Sequence, residues 1–247
     1  VRRDFVAQYK QTILGPAWFF LQPLFTTIVF TVVFGRIAKI PTDGVPDFIF
    51  YMSGTVCWAY FSACLQQTSR TFVSNAGIFG KVYFPRLVVP TSVVISNILK
   101  FAIQFVLFLL FLAFFYYRGA PVAPNLGALL LPLYLLQMAL LGLGCGILIS
   151  AVTTKYRDLM LLVEFGAQLW MYATPVVWPL SQVPEKYRIL LALNPMTSVI
   201  EGFRQGFLGR SALDPDLLLV GWATTLTLLL CGLVLFSRVE KTFMDTV

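Results

Sequence analysis

Residues 87–117 carry a single charge, Lys100, in a run of Leu, Val, Ile, Phe and Ala that is long enough to cross a bilayer. A hydrocarbon core about 30 Å thick takes about 20 helical residues, so this run either tilts or lays its first turns in the headgroup region before crossing. Shorter apolar runs occupy 17–38, 48–67, 126–152, 160–177 and 217–236. With 58% hydrophobic and 12% charged residues and a mean hydropathy of +0.81, the chain lacks the polar surface of a water-soluble domain. We therefore expect an all-α integral membrane protein with six transmembrane helices, its residues 1–247 forming a single transmembrane domain.

The segments between the runs are short and have distinct characters. In residues 1–14, Phe5, Val6, Tyr9 and Ile13 share one helical face and Arg2, Arg3, Gln8 and Lys10 lie largely off it, the pattern of an amphipathic interface helix. The chain begins at Val1 without a signal-peptide pattern, and a few native residues are expected ahead of it. Pro41, Gly44 and Pro46 mark a turn between the first two spans. Segment 75–90, NAGIFGKVYFPRLVVP, sets Lys81 and Arg86 among aromatic and β-branched residues, with Asn75 as an expected helix cap and Pro85 and Pro90 closing it. Residues 179–210 are too charged to span and too apolar to be a free loop. Pro184 and the Asn194-Pro195 pair read as the starts of two short surface or partly re-entrant helices. With both termini on one side, that side holds Arg2, Arg3, Lys10, Arg70, Lys81, Arg86, Lys155, Arg157, Arg238 and Lys241. The other holds Arg36, Lys39, Arg118, Lys186, Arg188, Arg204 and Arg210. The positive-inside rule then places both termini and segment 75–90 in the cytoplasm, so the net charge of +7 is a topology signal rather than a nucleic-acid one.

The chemistry within the spans is sparse. The 247 residues contain no His, which removes the commonest metal ligand and general base, and no GxxxxGK[ST] loop to cradle a nucleotide. Work driven by ATP must then come from a partner. Cys57, Cys64, Cys145 and Cys231 lie inside apolar runs and read as small packing residues, and no metal site is expected. Gly142 and Gly146 form a GxxxG, read as helix packing. Asp214-Pro215-Asp216 has the spacing of a metal-binding DxD, but Asp before Pro ahead of an apolar run fits helix capping better. For Glu164, the one acid inside a span, two readings stand: a functional group facing a wet cavity, or a side chain that snorkels or pairs with Lys100. Trp18, Phe19, Phe20, Phe25, Phe30 and Phe34 in the first span, and Trp170, Tyr172 and Trp178 around the fifth, also admit two readings. Aromatic faces suit a conduit for a repeating sugar chain, and they equally suit packing against lipid.

The order of surface helix, two spans, the segment GKVYFPRLVVP, four more spans and the insert PEKYRILLALNPMTSVIEGFR before the last one resembles the membrane subunit of ABC-type polysaccharide exporters, the O-antigen, capsule and teichoic-acid permeases. The opening RRDFVAQYKQTILGPAWFFLQPL and the segment NPMTSVIEGFR carry the resemblance most specifically. It implies a non-enzymatic transport subunit in the bacterial cytoplasmic (inner) membrane, a homodimer joined to two copies of an ABC ATPase that holds ATP and Mg. The complex would export a glycan linked to a polyprenyl diphosphate lipid, as in lipopolysaccharide biosynthesis, through a channel at the dimer interface. On this resemblance Phe79, Gly80, Lys81, Val82, Tyr83, Phe84 and Arg86 belong to a cytoplasmic coupling helix. Residues 179–210 form an extracytoplasmic gate with Pro184, Tyr187, Asn194, Pro195, Glu201 and Arg204, and Trp18, Phe19, Phe25, Phe30, Phe34, Trp170, Tyr172 and Trp178 line the channel. Arg2, Arg3 and Lys10 sit where a lipid diphosphate would be met. The rivals are an exporter of drugs or small lipids on the same scaffold and a membrane-bound glycan-modifying enzyme. An ion-coupled transporter would need more polar groups at the midplane than Glu164 and Lys100.

Overall fold

A helix satisfies its own backbone hydrogen bonds, so apolar runs of this length fold as helices wherever water is excluded. A computed structural model describes residues 17–79, 85–153, 159–210 and 214–243, and they are almost entirely helical, with no strand among them. Helix α1, Trp18–Phe30, continues as a π-helix over Thr31–Ile37. It is followed by α2 (Asp47–Ser69), α3 (Thr71–Phe79) and the 30-residue α4 (Val88–Tyr117). A 3-10 turn, Leu126–Leu130, leads into α5 (Leu131–Thr153), and α6 follows at Leu159–Tyr172. Two short helices, α7 (Glu185–Ala192) and α8 (Pro195–Leu208), precede α9 (Pro215–Phe243).

Among the described residues five helices are long and apolar enough to cross a membrane: Trp18–Ile37, Asp47–Ser69, Val88–Tyr117, Leu126–Thr153 and Pro215–Val239. The segment expected as the fifth of six spans, 160–177, differs. Its helix α6 stops at Tyr172, 14 described residues and about 21 Å from Leu159 at 1.5 Å per residue, and the chain turns at Ala173. Pro175 and Pro179 lie just beyond, where a helix cannot continue.

Helix α2 is the hub, packed against α1, α4, α5, α6 and α8. Most of its span is buried (78%), against 17% for α4, although α4 is the more apolar of the two. That is the expected distribution for a protein in lipid, where the outward surface is apolar and the polar side chains turn inward. The hydroxyls of α2 bond back to its own turns: Ser53 Oγ donates to Phe50 O at 2.6 Å and Thr68 Oγ1 to Cys64 O at 2.7 Å.

Close approach between helices comes from glycine. A Cβ at Gly142 would lie 2.7 Å from Cys64 Cβ, and one at Gly146 would overlap the Thr68 hydroxyl, so these two residues let α5 seat against α2. Gly144 does the same toward α9, where a Cβ would come within 2.7 Å of Leu229 Cα. The GxxxG is thus a packing device. Cys57, Cys64 and Cys145 are buried as expected, whereas Cys231 is exposed on the outer face of α9.

The insert is more deeply held than a surface segment. Asn194 caps α8 by accepting from Met196 N at 3.2 Å, with Pro195 in the first helical turn, as the Asn-Pro pair predicts. Yet nearly every residue of α8 is buried, so of the two placements the sequence allowed, surface or partly re-entrant, α8 does not take the surface one. The reason is Arg204. Its guanidinium donates to Pro175 O at 2.6 Å, Val176 O at 2.7 Å and Ser53 Oγ at 3.2 Å, pairs with Glu201 at 3.4 Å, and lies 3.7 Å from the Phe50 ring centroid. It thereby satisfies the carbonyls that the turn after α6 leaves unpaired and ties that turn to α2. Burial pulls the Arg204 guanidinium below its ordinary range, and the Glu201 carboxylate opposes that pull. A second set of bonds runs beside it, Trp170 Nε1 to Asn194 Oδ1 at 3.1 Å and Asn194 Nδ2 to Thr174 Oγ1 at 2.8 Å.

Two outcomes follow for stability, both read by thermal unfolding in detergent. Gly146→Leu forces a side chain into the space of Thr68 and is expected to destabilise by about 1–3 kcal/mol; Gly166→Ala, where a Cβ has nothing within 4 Å, is the control that stays close to the parent. Arg204→Met strands two buried carbonyls and removes a cationic partner of Glu201, and is expected to cost about 3–5 kcal/mol. Arg204→Lys, which cannot fork across both carbonyls, should recover only part of that loss.

Candidate functional site

Three membrane-length helices each carry a stripe of polar residues at helical spacing, and the fold turns the stripes toward one another. On α1 the stripe is Gln22 and Thr26; on α2 it is Thr55, Ser62 and Gln66, with Gln67 beside it; on α4 it is Asn97, Lys100 and Gln104. Together with Trp18, Phe19, Trp58, Tyr60 and Phe101 they line a cleft of about 440 Å³. It occupies the half of these spans nearer Trp18, Ser69 and Val88, because its lining residues come from the first part of α1, the second part of α2 and the first part of α4.

Inside the cleft Asn97, almost fully buried, donates from Nδ2 to Gln67 Oε1 at 3.1 Å, which leaves the Gln67 amide hydrogens free to face the opening. Gln66 Nε2 donates to Ser62 Oγ at 2.8 Å. The Lys100 ammonium lies 5.9 Å from the Phe19 ring centroid and makes no ion pair among the described residues. Carboxamides and hydroxyls beside aromatic walls offer hydrogen bonds and flat apolar faces together, the two kinds of contact a polyhydroxylated molecule accepts.

The expected channel aromatics divide among several places. Trp18 and Phe19 border the cleft. Phe30, Phe34 and Tyr172 gather with Tyr51 where α1, α2 and α6 meet, Phe30 to Phe34 at 5.3 Å and Phe34 to Tyr172 at 6.5 Å between centroids. Trp170 packs into the core against Phe61 at 5.1 Å and Trp58 at 6.3 Å, while Trp178 Nε1 donates to Tyr172 O at 3.1 Å. Phe25 faces outward, more than half exposed.

Among the expected gate residues, Pro195, Glu201 and Arg204 belong to the buried α8 and Asn194 caps it, whereas Pro184 precedes α7 and Tyr187 stands exposed on it. Asn75 is not a helix cap. It lies within α3, where Nδ2 donates to Thr71 O at 2.9 Å, because α3 starts four residues earlier than the sequence suggested. Phe79 ends α3 and Arg86 is buried in the turn before α4; Gly80, Lys81, Val82, Tyr83 and Phe84 lie outside the described residues, as do 1–16 with Arg2, Arg3 and Lys10. Glu164 pairs with Arg70 across α6 and α2, not with Lys100, both side chains being about half exposed. Asp214 accepts from Asp216 N at 3.1 Å, the capping role rather than a metal site.

The carboxamides of the cleft were the residues missed from sequence. Charges and rings drew the weight there, although Asn97, Lys100 and Gln104 at i, i+3 and i+7 in an apolar run are a legible stripe.

Comparison with known proteins places the chain. Residues 1–208 match the family model described as ABC-2 type transporter. The chain is 28% identical to the O-antigen export system permease protein RfbA of Myxococcus xanthus, covering 100% of this chain and 93% of the relative. It is 25% identical to the RfbA permease of Klebsiella pneumoniae, over 98% and 91% of the two chains. With the polysialic acid transport protein KpsM of Escherichia coli it shares 21% identity over 99% and 93%. A match over most of its length, joined to a bundle of membrane-length helices, means that this chain belongs to the ABC-2 type transporter membrane family.

Proposed function

We propose that this chain is the membrane subunit of an exporter that moves a lipid-linked polysaccharide across the bacterial cytoplasmic membrane, driven by a separate ABC ATPase that holds ATP and Mg. The observation that carries the reading is the cleft of carboxamides and aromatic rings set among apolar spans, in a chain whose relatives are named for polysaccharide export. No GxxxxGK[ST] occurs in the 247 residues, so the energy is assigned to the partner.

In this reading two copies form a homodimer with a channel between them, and both termini lie in the cytoplasm. Helix α6 and the chain around it make the sixth crossing, bringing Phe34, Tyr172 and Trp178 toward the conduit. Segment 79–86 docks on the ATPase, and residues 1–14 lie at the cytoplasmic interface with Arg2, Arg3 and Lys10 toward the lipid diphosphate. The insert 179–210 is the outer gate. Its anchored part, α8 with Glu201 and Arg204, serves as the fixed post, and α7 with the exposed Tyr187 is the part free to swing.

Deleting the gene tests the class of cargo. The expected result is glycan retained in the cytoplasm and missing from the surface. Normal surface glycan with new drug sensitivity would point instead to an exporter of drugs or small lipids. Replacing both Tyr83 and Phe84 by Asp tests the docking segment: export should fall at least about tenfold while the purified variant melts with the parent, since the change lies outside the bilayer, and unchanged export would refute the docking role.

A further inference from the structure

We propose that the cleft between α1, α2 and α4 is a binding site for the phosphate group of a lipid, with Lys100 as its counter-charge. Three observations point there. First, the cleft is electrostatically one-sided: its lining includes Lys100 and no Asp or Glu, and Lys100 has no carboxylate partner among the described residues. A partly buried ammonium favours an anion beside it, and the described residues supply none. Second, the neutral groups around it can donate. Gln67 has its oxygen occupied by Asn97 and its amide hydrogens available, and the side-chain amides of Gln22 and Gln104 line the same space with no hydrogen bond among the described residues. Third, the depth is that of a headgroup. Tyr116 and Tyr117, both well exposed, mark the far interface of α4. Counting back to Lys100 covers about 24 Å of helix, so its Cα lies roughly 6 Å inside the opposite edge of a 30 Å core, within reach of that leaflet's phosphates along an extended side chain.

An anion arriving at this depth from the side, with its tails left in hydrocarbon, is a lipid phosphate. Two sources present that chemistry: an anionic phospholipid of the bilayer, or the diphosphate of a lipid-linked cargo. The second source alone rests on the export function proposed above.

Native mass spectrometry of the full chain in detergent, incubated separately with dioleoylphosphatidylglycerol, undecaprenyl diphosphate and dioleoylglycerol, tests the assignment. At least one phosphate lipid is expected to be retained and the phosphate-free diglyceride is not. Lys100→Met should weaken that retention about tenfold or more, while Lys100→Arg keeps most of it. Loss confined to phosphatidylglycerol identifies a resident phospholipid, and loss confined to undecaprenyl diphosphate identifies the cargo headgroup. Both support the site, and the first does so even if deletion of the gene leaves surface glycan normal. Should Lys100→Met fail to fold, the pair Gln22→Leu and Gln104→Leu is expected to weaken retention severalfold. Equal retention of the phosphate lipids by parent and folded variants, no retention by the parent, or retention of the diglyceride as strong as that of the phosphate lipids overturns the proposal.

Discussion

Inside a bilayer no water is available to rescue an unpaired polar group, and the fold is arranged around that constraint. Where the backbone leaves regular helix after α6, a side chain has been placed to meet it. The turn that ends α6 exposes Pro175 O and Val176 O, and Arg204 reaches across from α8 to bind both. Pro23 removes a donor from α1, and the same helix carries Thr26, Thr27 and Thr31, whose hydroxyls bond back to the preceding turn. The Arg204 clamp is dear in desolvation and therefore fixed. With its partners buried and fully engaged, the insert can pivot only where those bonds are absent.

The same constraint explains why the hub is the polar helix. Ser53, Thr55, Cys57, Cys64 and Thr68 make α2 small and bondable on every side, so five neighbours can close on it, and Gly142 and Gly146 meet it at backbone distance. The bulk of the apolar surface is left to α4 and α9, which face outward. A rigid centre with one polar cleft on its flank is a suitable frame for a path whose walls must not stick to any one sugar.

Much of this was legible in the amino-acid sequence, and the parts that were not share a cause. Long apolar runs announced the spans, Asn194-Pro195 announced α8, and Asp214-Pro215 announced α9, because each is a local signal read over a few residues. The anchoring of the turn after α6 was not, since Pro175 and Pro179 show where helix must stop but not that the turn's carbonyls meet Arg204, some thirty residues away. The burial of α8 was hidden for the same reason: a charged segment reads as surface until its charges find partners. For Glu164 the sequence left a wet-cavity role and a snorkelling or Lys100-paired one open, and its partner Arg70 lies 94 residues away in the chain, beyond any local signal. The cleft could have been found by extending the search from charges to carboxamides at helical spacing.

The central claim is that this chain supplies the passage and a partner supplies the work. Reconstituting the chain with its co-purified ABC ATPase into vesicles loaded with lipid-linked glycan, and following the appearance of glycan on the opposite face with a lectin, tests it directly. The account predicts translocation that requires ATP and both proteins together. Glycan crossing with this chain alone and no nucleotide, or crossing driven by the ATPase in vesicles lacking this chain, would contradict it.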